Sequence, residues 1–514
     1  MVKRDRADSQ DDVDICRPSS VPKAGGGDQT VAAFESWLST HGVSWRADLF
    51  GICSASDSAV AAGWGLLAKV PIKPGQELFR VPRRACLGAT CDGADDGDDV
   101  QFMDSQQKLA TTVLQEIALG KKSTWRPMLD MISAAPCPWA WPEEARAFLD
   151  GTELAAVVRV KMQRLSEELA TIAESANPTS YREACALVAS HANPWFGGQT
   201  LVPFNFMMNC SIGGASNVET DADGEFVVGR AVVPIAQGEE LVHAYTESTA
   251  EMIYRYGMVC PPPAGLGESA VMLLADDSVC VEIHQIQPEP QHADSYNAKV
   301  RALVKASALA HSAWDGLDDV VNAELKADGE GTARLVAAAL VLAADEPSWG
   351  DAAALLAASG WQCGASKTES GTESNDEQDN DSADSDSDNE GDEQGDVVAA
   401  LLVASLCGAD ASDTEMLRQT AEEEGGADSD PWPALLQRAP KCAALDAARA
   451  AAAAAVDRRM EALRAARASL APDLTAESVV TVAWSMSEQL RRVELAILES
   501  AQVSLPPPPH PLSL

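Results

Sequence analysis

A few short stretches of the chain carry residue types that could do chemistry together. Gly63-Trp64-Gly65 is a Gly-x-Gly turn, and residues without a β-carbon let a backbone come close to a bound ligand. Tyr245 ends a strand-like run, and Tyr256 lies in the segment Glu251–Gly257 that follows it. Asn209 follows two methionines and another strand-like run. Taken singly, the glycines also read as an ordinary strand-initiating turn, Asn209 as a turn or cap residue, and Tyr245 as a core tyrosine. Seven histidines, His41, His191, His243, His284, His292, His311 and His510, form no ligand-spaced pair, so no metal is expected. Twelve cysteines run from Cys16 to Cys442 without one Cys-x-x-Cys, which argues against a zinc cluster or disulfide framework and for reduced thiols.

The elements that must position these residues change character along the chain. After a polar arm, Phe34, Trp37, Leu38 and Val43 have the spacing of a short amphipathic helix. Leu66–Ile72 and Glu77–Pro82 flank the turn residues Lys73-Pro74-Gly75 and predict a β-hairpin. Residues from about Ser105 to Ser190 have helical periodicity, with a start at Pro142 before Glu143-Glu144. Strand character returns at Thr200–Phe204, then at Glu225–Val233 turning through Gln237-Gly238 into Glu240–Tyr245, a second predicted hairpin. Beyond Pro262 the composition becomes Ala-rich and helical, at 297–312, 331–344, 397–407, 443–470 and 476–500, and predicts an all-α domain. The run Ala450–Ala455 reads as helix filler, and Pro506–Pro509 as an extended tail.

Charge excludes several function classes. The net charge is −40, which opposes nonspecific binding to nucleic acid or anionic membranes. Thirteen acids and no bases lie between Glu369 and Asp396, a tract that cannot bury enough apolar surface to order itself. Ser385 and Ser387 within it could serve as acidophilic-kinase sites, although a merely solvating tract is the simpler account. No run of about eighteen apolar residues predicts a membrane span. The first twenty residues mix Lys3, Arg4 and Arg6 with Asp8, Asp11, Asp12 and Asp14 and fit neither a secretory signal nor an acid-poor transit peptide. Cytoplasm or nucleus is the expectation, with the chloroplast left open.

In chain order, Gly63–Ala68, Arg80-Val81-Pro82, Leu201-Val202-Pro203-Phe204, Asn209-Cys210-Ser211, Gly238–Leu241, Tyr245 and Glu251–Gly257 resemble the motifs of the SET-domain protein methyltransferases of the Rubisco large-subunit methyltransferase-like group. Leu114-Gln115-Glu116, Ser123–Pro127 and Leu149–Thr152 look like that group's helical insert, and Arg492–Leu498 is similar to its closing helix. The resemblance implies an α+β chain: a disordered arm over 1–30, a β-rich SET domain over 31–260 with a helical insert at about 105–190, an α-helical substrate-binding domain over 261–505 interrupted by a disordered acidic loop at about 366–396, and a Pro-rich tail over 506–514. It implies a class V protein-lysine N-methyltransferase using S-adenosyl-L-methionine. Gly63, Trp64, Gly65, Leu66, His191, Asn209, Cys210 and Tyr245 would hold that cofactor, Tyr245 would be catalytic, and Asn193, Asn205 and Tyr256 would contact the substrate. The implied partner is a protein (Rubisco, aldolase, a ribosomal protein or actin), and a monomer is expected.

Some positions depart from the group's pattern. Its Asn-His pair is Asn209-Cys210 here, its Ser-Arg pair is Ser190-His191, and an aspartate and a glutamate are replaced by Phe206 and Ala62. Charge-assisted contacts contribute roughly 1.5–3 kcal/mol each, so losing several would weaken cofactor binding by orders of magnitude. That keeps open a non-catalytic SET-fold binding module. Asn193 matches the asparagine of the actin-histidine methyltransferases, whereas Asn205 stands where those enzymes have tryptophan, so histidine methylation also stays open.

Overall fold

The computed structural model describes residues 27–54, 63–88, 98–171, 178–210, 216–246, 248–259, 273–286, 293–312, 317, 321–328, 330–359, 389–424, 430–470 and 479–505. Most of the predicted arm and acidic tract, the tail, Ala62, Ser211, Ser385 and Ser387 lie outside the described residues. The chain divides into two compact units, Met1–Asp276 with Leu470–Leu490, and Asp277–Ser469 with Arg491–Leu514.

The first unit contains, in order, β1 (Ser44–Trp45), β2 (Phe50–Ser54), β3 (Trp64–Ala68), β4 (Glu77–Pro82), β5 (Leu87–Gly88), β6 (Asn193–Trp195), β7 (Gly198–Leu201), β8 (Asn209–Cys210), β9 (Val218–Asp223), β10 (Phe226–Ala231) and β11 (Glu240–His243). They form three small sheets, ordered β1-β4-β10-β9, β2-β3-β11-β8 and β5-β7-β6. Between β5 and β6 the chain is helical, with Asp98–Leu119, Glu153–Thr171 and Pro178–His191 as its main helices, in keeping with the 3.6-residue periodicity there.

Neither predicted hairpin forms. β3 and β4 belong to different sheets, as do β10 and β11. Instead the two segments zip onto each other: Leu66 opposes Leu241, Ile72 bridges Ile235 and Val81 opposes Val227. The turns at 73–76 and 236–239 interrupt this long antiparallel ribbon as it passes from one sheet to the next, and backbone bonds such as Gly75 N–H to Ala231 O (2.7 Å) and Gly238 N–H to Ala68 O (2.8 Å) hold it across the interruptions. Turn residues mark where a strand bends but not which strand it pairs with, so local reading assigned the wrong partners.

The core of this unit gathers around Phe204, whose ring lies 5.3 Å from Trp45, 5.6 Å from Phe50 and 5.3 Å from Phe79. Phe204 has φ +68°, a strained value for a side-chain-bearing residue, and is held there by being wholly buried. It turns the chain into the 3-10 helix Asn205–Met207 and on to β8.

The second unit is mainly helical, including Thr332–Ala343, Glu346–Ala358, Ala411–Glu424 and the long helix Ala443–Leu470. Two expectations are corrected in it. It is not all-α, because β12 (Ser278–Glu282), β13 (Ala310–His311) and β14 (Val321–Lys326) form an antiparallel sheet ordered β12-β14-β13. Val279 and Val281 are buried while Ser278, Cys280 and Glu282 are not, a period-two pattern too short to stand out among Ala-rich helices. Secondly, the helix Asn389–Leu406 begins inside the tract read as an acidic loop. Ala452, Ala453 and Ala455 are buried, so the alanine run packs inside the unit.

Candidate active site

The strand β11 organises one side of a cavity. β3 pairs with it antiparallel and β8 parallel, which places Val242 opposite Asn209 and His243 opposite Cys210. Asn217, which no motif marks, braces the same strand: its amide donates to Glu240 O (2.9 Å) and accepts from Val242 N–H (2.8 Å). Gly63-Trp64 at the start of β3, Asn209 in β8 and Tyr245 just past β11 are thereby brought together around a cavity of about 190 Å³.

The orientation of each group follows from its partners. Asn209 Nδ2 donates to Glu240 Oε1 (2.6 Å) and to Trp64 O (3.3 Å), which fixes the rotation of the amide and ties β8 to the Gly-x-Gly turn. Tyr245 donates its hydroxyl to Met208 O (3.0 Å), leaving the oxygen's lone pairs as acceptors. Tyr256 stacks on Tyr245 with centroids 4.2 Å apart and planes at 25°. Burial, together with the neighbouring tyrosine, holds Tyr245 well above the ordinary phenol range, and burial pushes Tyr256 up to about 12. Both hydroxyls therefore stay protonated at neutral pH. Gly63 has φ +53°, and the space where its β-carbon would stand is open, so the backbone there can be approached closely.

His191 also lines the cavity, at the end of the helix Pro178–His191. Its Nδ1 lies 3.1 Å from Leu187 O, an acceptor, and 2.7 Å from Ser190 Oγ, whose own hydrogen goes to Ala186 O, so Nδ1 carries the proton and Nε2 is left to accept. Burial lowers its pKa to about 4, and the ring is neutral at pH 7.

Of the residues singled out in the sequence, Gly63, Trp64, His191, Asn209, Tyr245 and Tyr256 line this cavity, and Gly65, Leu66, Cys210, Asn193 and Asn205 do not. Leu66 is fully buried in the core. Asn205 is buried and its Oδ1 accepts from Thr220 Oγ1 at 3.2 Å. Asn193 pairs with Thr200 in β6, and Cys210 faces His243 across the ladder with its thiol raised in pKa by burial. A second wall, Phe206 apart, was not foreseen. It comes from Asp130–Pro136 of the helical insert, from Phe206-Met207, and from Val482, Ser485 and Met486. Asp130, the one formally charged side chain among the described lining residues, is held by Arg126 at 2.6 Å.

Among solved structures, Rubisco LSMT bound to AdoMet superposes with a TM-score of 0.54 at 13% identity, covering 92% of this chain and 91% of that one. The SET domain of LSMT bound to lysine and AdoHcy gives 0.51 at 13%, over 93% and 91%. The chain therefore has the SET-domain fold of the Rubisco large-subunit methyltransferase type, an α+β architecture with a helical C-terminal region. Among named relatives, the N-lysine methyltransferase SETD6 of Rattus norvegicus is 25% identical over 275 residues, 47% of this chain and 56% of that protein. SETD6 of Bos taurus matches at 25%, over 47% and 59%. The chain thus spans little more than half the length of these relatives, and no family model matches it.

Proposed function

We propose that this chain is an S-adenosylmethionine-dependent protein-lysine methyltransferase, with residues 31–260 as its catalytic SET domain and 261–505 as its substrate-binding domain. The observation that carries the reading is the stacked pair Tyr245 and Tyr256 beside Gly63-Trp64 and Asn209 in one cavity. The residues present fit the cofactor: open space above Gly63, an amide fixed at Asn209 and a neutral His191 acceptor suit a nucleoside bearing a sulfonium and an amino group. Gly63, Trp64, His191 and Asn209 would hold it. When bound, it supplies an activated methyl group on sulfur.

The protein's own task is to deliver a neutral, oriented amine. The Tyr245 hydroxyl, tethered to Met208 O, presents lone pairs that orient an amine N–H and attract polarised C–H groups. The two rings exclude water, and desolvation lowers a lysine amine from its usual pKa of about 10.4 toward the neutral form. Because both phenols stay protonated, Tyr245 works as a fixed dipole rather than as a base. The relatives named N-lysine methyltransferase and the likeness to LSMT structures support this reading.

The test is to incubate the full chain with methyl-labelled S-adenosylmethionine and whole-cell protein, and to identify labelled residues by mass spectrometry. Methyl-lysine in a discrete set of proteins is the expected result. Methyl-histidine would replace lysine as the acceptor, while absent labelling together with no heat of cofactor binding would leave a binding module instead.

A further inference from the structure

Tyr256 reaches the cavity from an unusual element, the π-helix Met252–Tyr256, which ends at Gly257 in the left-handed region with φ +57°. Single-turn π-helices are costly and persist where surrounding contacts impose them. The last carbonyls of such a turn have no partner within the helix. Here the thiol of Cys137, from the helical insert, donates to Arg255 O at 3.1 Å. The same insert segment meets the π-helix twice more. A β-carbon on Gly257 would come within 2.4 Å of Pro136 O, and the Trp139 ring packs edge-on against Tyr254 at 4.7 Å. Trp141 Nε1 donates to Pro136 O at 2.7 Å, which keeps that carbonyl in place. On the other side, Glu251 accepts from Arg255 at 2.9 Å and from Thr246, one residue past Tyr245.

We infer that Cys137 is a positioning residue for the site: its hydrogen bond to the Arg255 carbonyl fixes the last turn of the π-helix and thereby the stack of Tyr256 on Tyr245. This deepens the methyltransferase reading and rests on it only for its effect on catalysis, since the geometry concerns the protein alone. Cys137 is fully buried and neither touches nor lines the cavity. Burial holds the thiol far above its ordinary range, so it remains a proton donor. A slip of the last turn would move a phenol ring rather than a flexible side chain, and misplacement by about 1 Å costs a reaction roughly a hundredfold.

The test compares Cys137→Ser, which keeps a donor, with Cys137→Ala, which removes it. The chain has five tyrosines, so fluorotyrosine labelling gives a countable 19F spectrum, with Tyr256 assigned through Tyr256→Phe. Expected is a Tyr256 signal at its wild-type, ring-stacked position in Cys137→Ser and a displaced one in Cys137→Ala. Methyl transfer should follow, near wild type in the first and lowered roughly ten- to a hundredfold in the second. Equal behaviour of the two variants in the spectrum, whether both unmoved or both displaced, would overturn the inference, because packing alone does not distinguish serine from alanine in this way. Should Cys137→Ala fail to fold, the equal-volume pair Cys137→Thr and Cys137→Val makes the same comparison. A wild-type protein that transfers no methyl group would count against the proposed function and leave the spectral result to decide the role of Cys137.

Discussion

The two walls of the cavity are built by different means. One, carrying Gly63, Trp64, Asn209 and Tyr245, is set by backbone ladders on both edges of β11. The other, carrying Asp130–Pro136 and Tyr256, is held by side-chain contacts on irregular backbone. A ladder fixes position to the register of its hydrogen bonds and tolerates side-chain change. Irregular backbone is only as well placed as the few side chains that clamp it, so substitutions should act on the two walls in different ways.

The largest effect is expected on the clamped wall. Trp139 is fully buried against Tyr254, and Trp139→Ala should cost about 3–5 kcal/mol of stability, measured by chemical denaturation. A loss below about 1 kcal/mol would mean that this wall is not held by packing. On the ladder wall the same logic predicts a catalytic rather than a structural defect. Tyr245→Phe keeps the ring stack and removes only the hydroxyl bonded to Met208 O, so methyl transfer should fall roughly a hundredfold with the melting temperature little changed. Smaller again is Gly257→Ala, which forces a β-carbon toward Pro136 O at a left-handed position and should cost about 1–3 kcal/mol. Separate from these is an effect of pH. His191 ends a helix of the insert and His243 lies in β11, 5.0 Å from Tyr245, and burial lowers both to about 4 from an ordinary 6.5. Between those values the unfolded chain binds protons that the folded chain does not, so their contribution is present above pH 6.5 and is lost as pH falls toward 4. Denaturation midpoints at pH 7, 5.5 and 4 should show His191→Asn less acid-sensitive than wild type, and equal slopes would remove His191 from the account.

The difference between the walls also explains what could be read from the sequence. Gly63-Trp64, Asn209 and Tyr245 sit at strand ends, where residue type and spacing carry a recognisable pattern, and the structure brings them together. Cys210 was grouped with Asn209 through the resembled motif, yet successive strand residues point to opposite faces, so it is turned away from the cavity, and Leu66 lies farther along β3, fully buried in the core. Phe206 was noticed as a departure from an acidic pattern and lines the cavity as an apolar surface. Asp130–Pro136 and Val482–Met486 had no comparable signature, being a loop without charged motif and one face of a late helix. Their role depends on tertiary placement that no local pattern encodes. The hairpins failed for the same reason, since the turns were seen correctly and the partner strands lay on the far side of the insert.

The ribbon that joins 66–81 to 227–241 bears on how the molecule is made. Its first lane emerges from the ribosome long before its second, with the whole helical insert between them. The early lane thus waits as an unpaired edge until the late one is synthesised, and contacts so distant in sequence make folding slow. Once closed, the ribbon turns the insert into a loop whose closure entropy grows only logarithmically with length. Residues could be added to the insert at little cost to the strands only where it neither buries core side chains, as Leu109, Val113 and Leu187 do, nor lines the cavity.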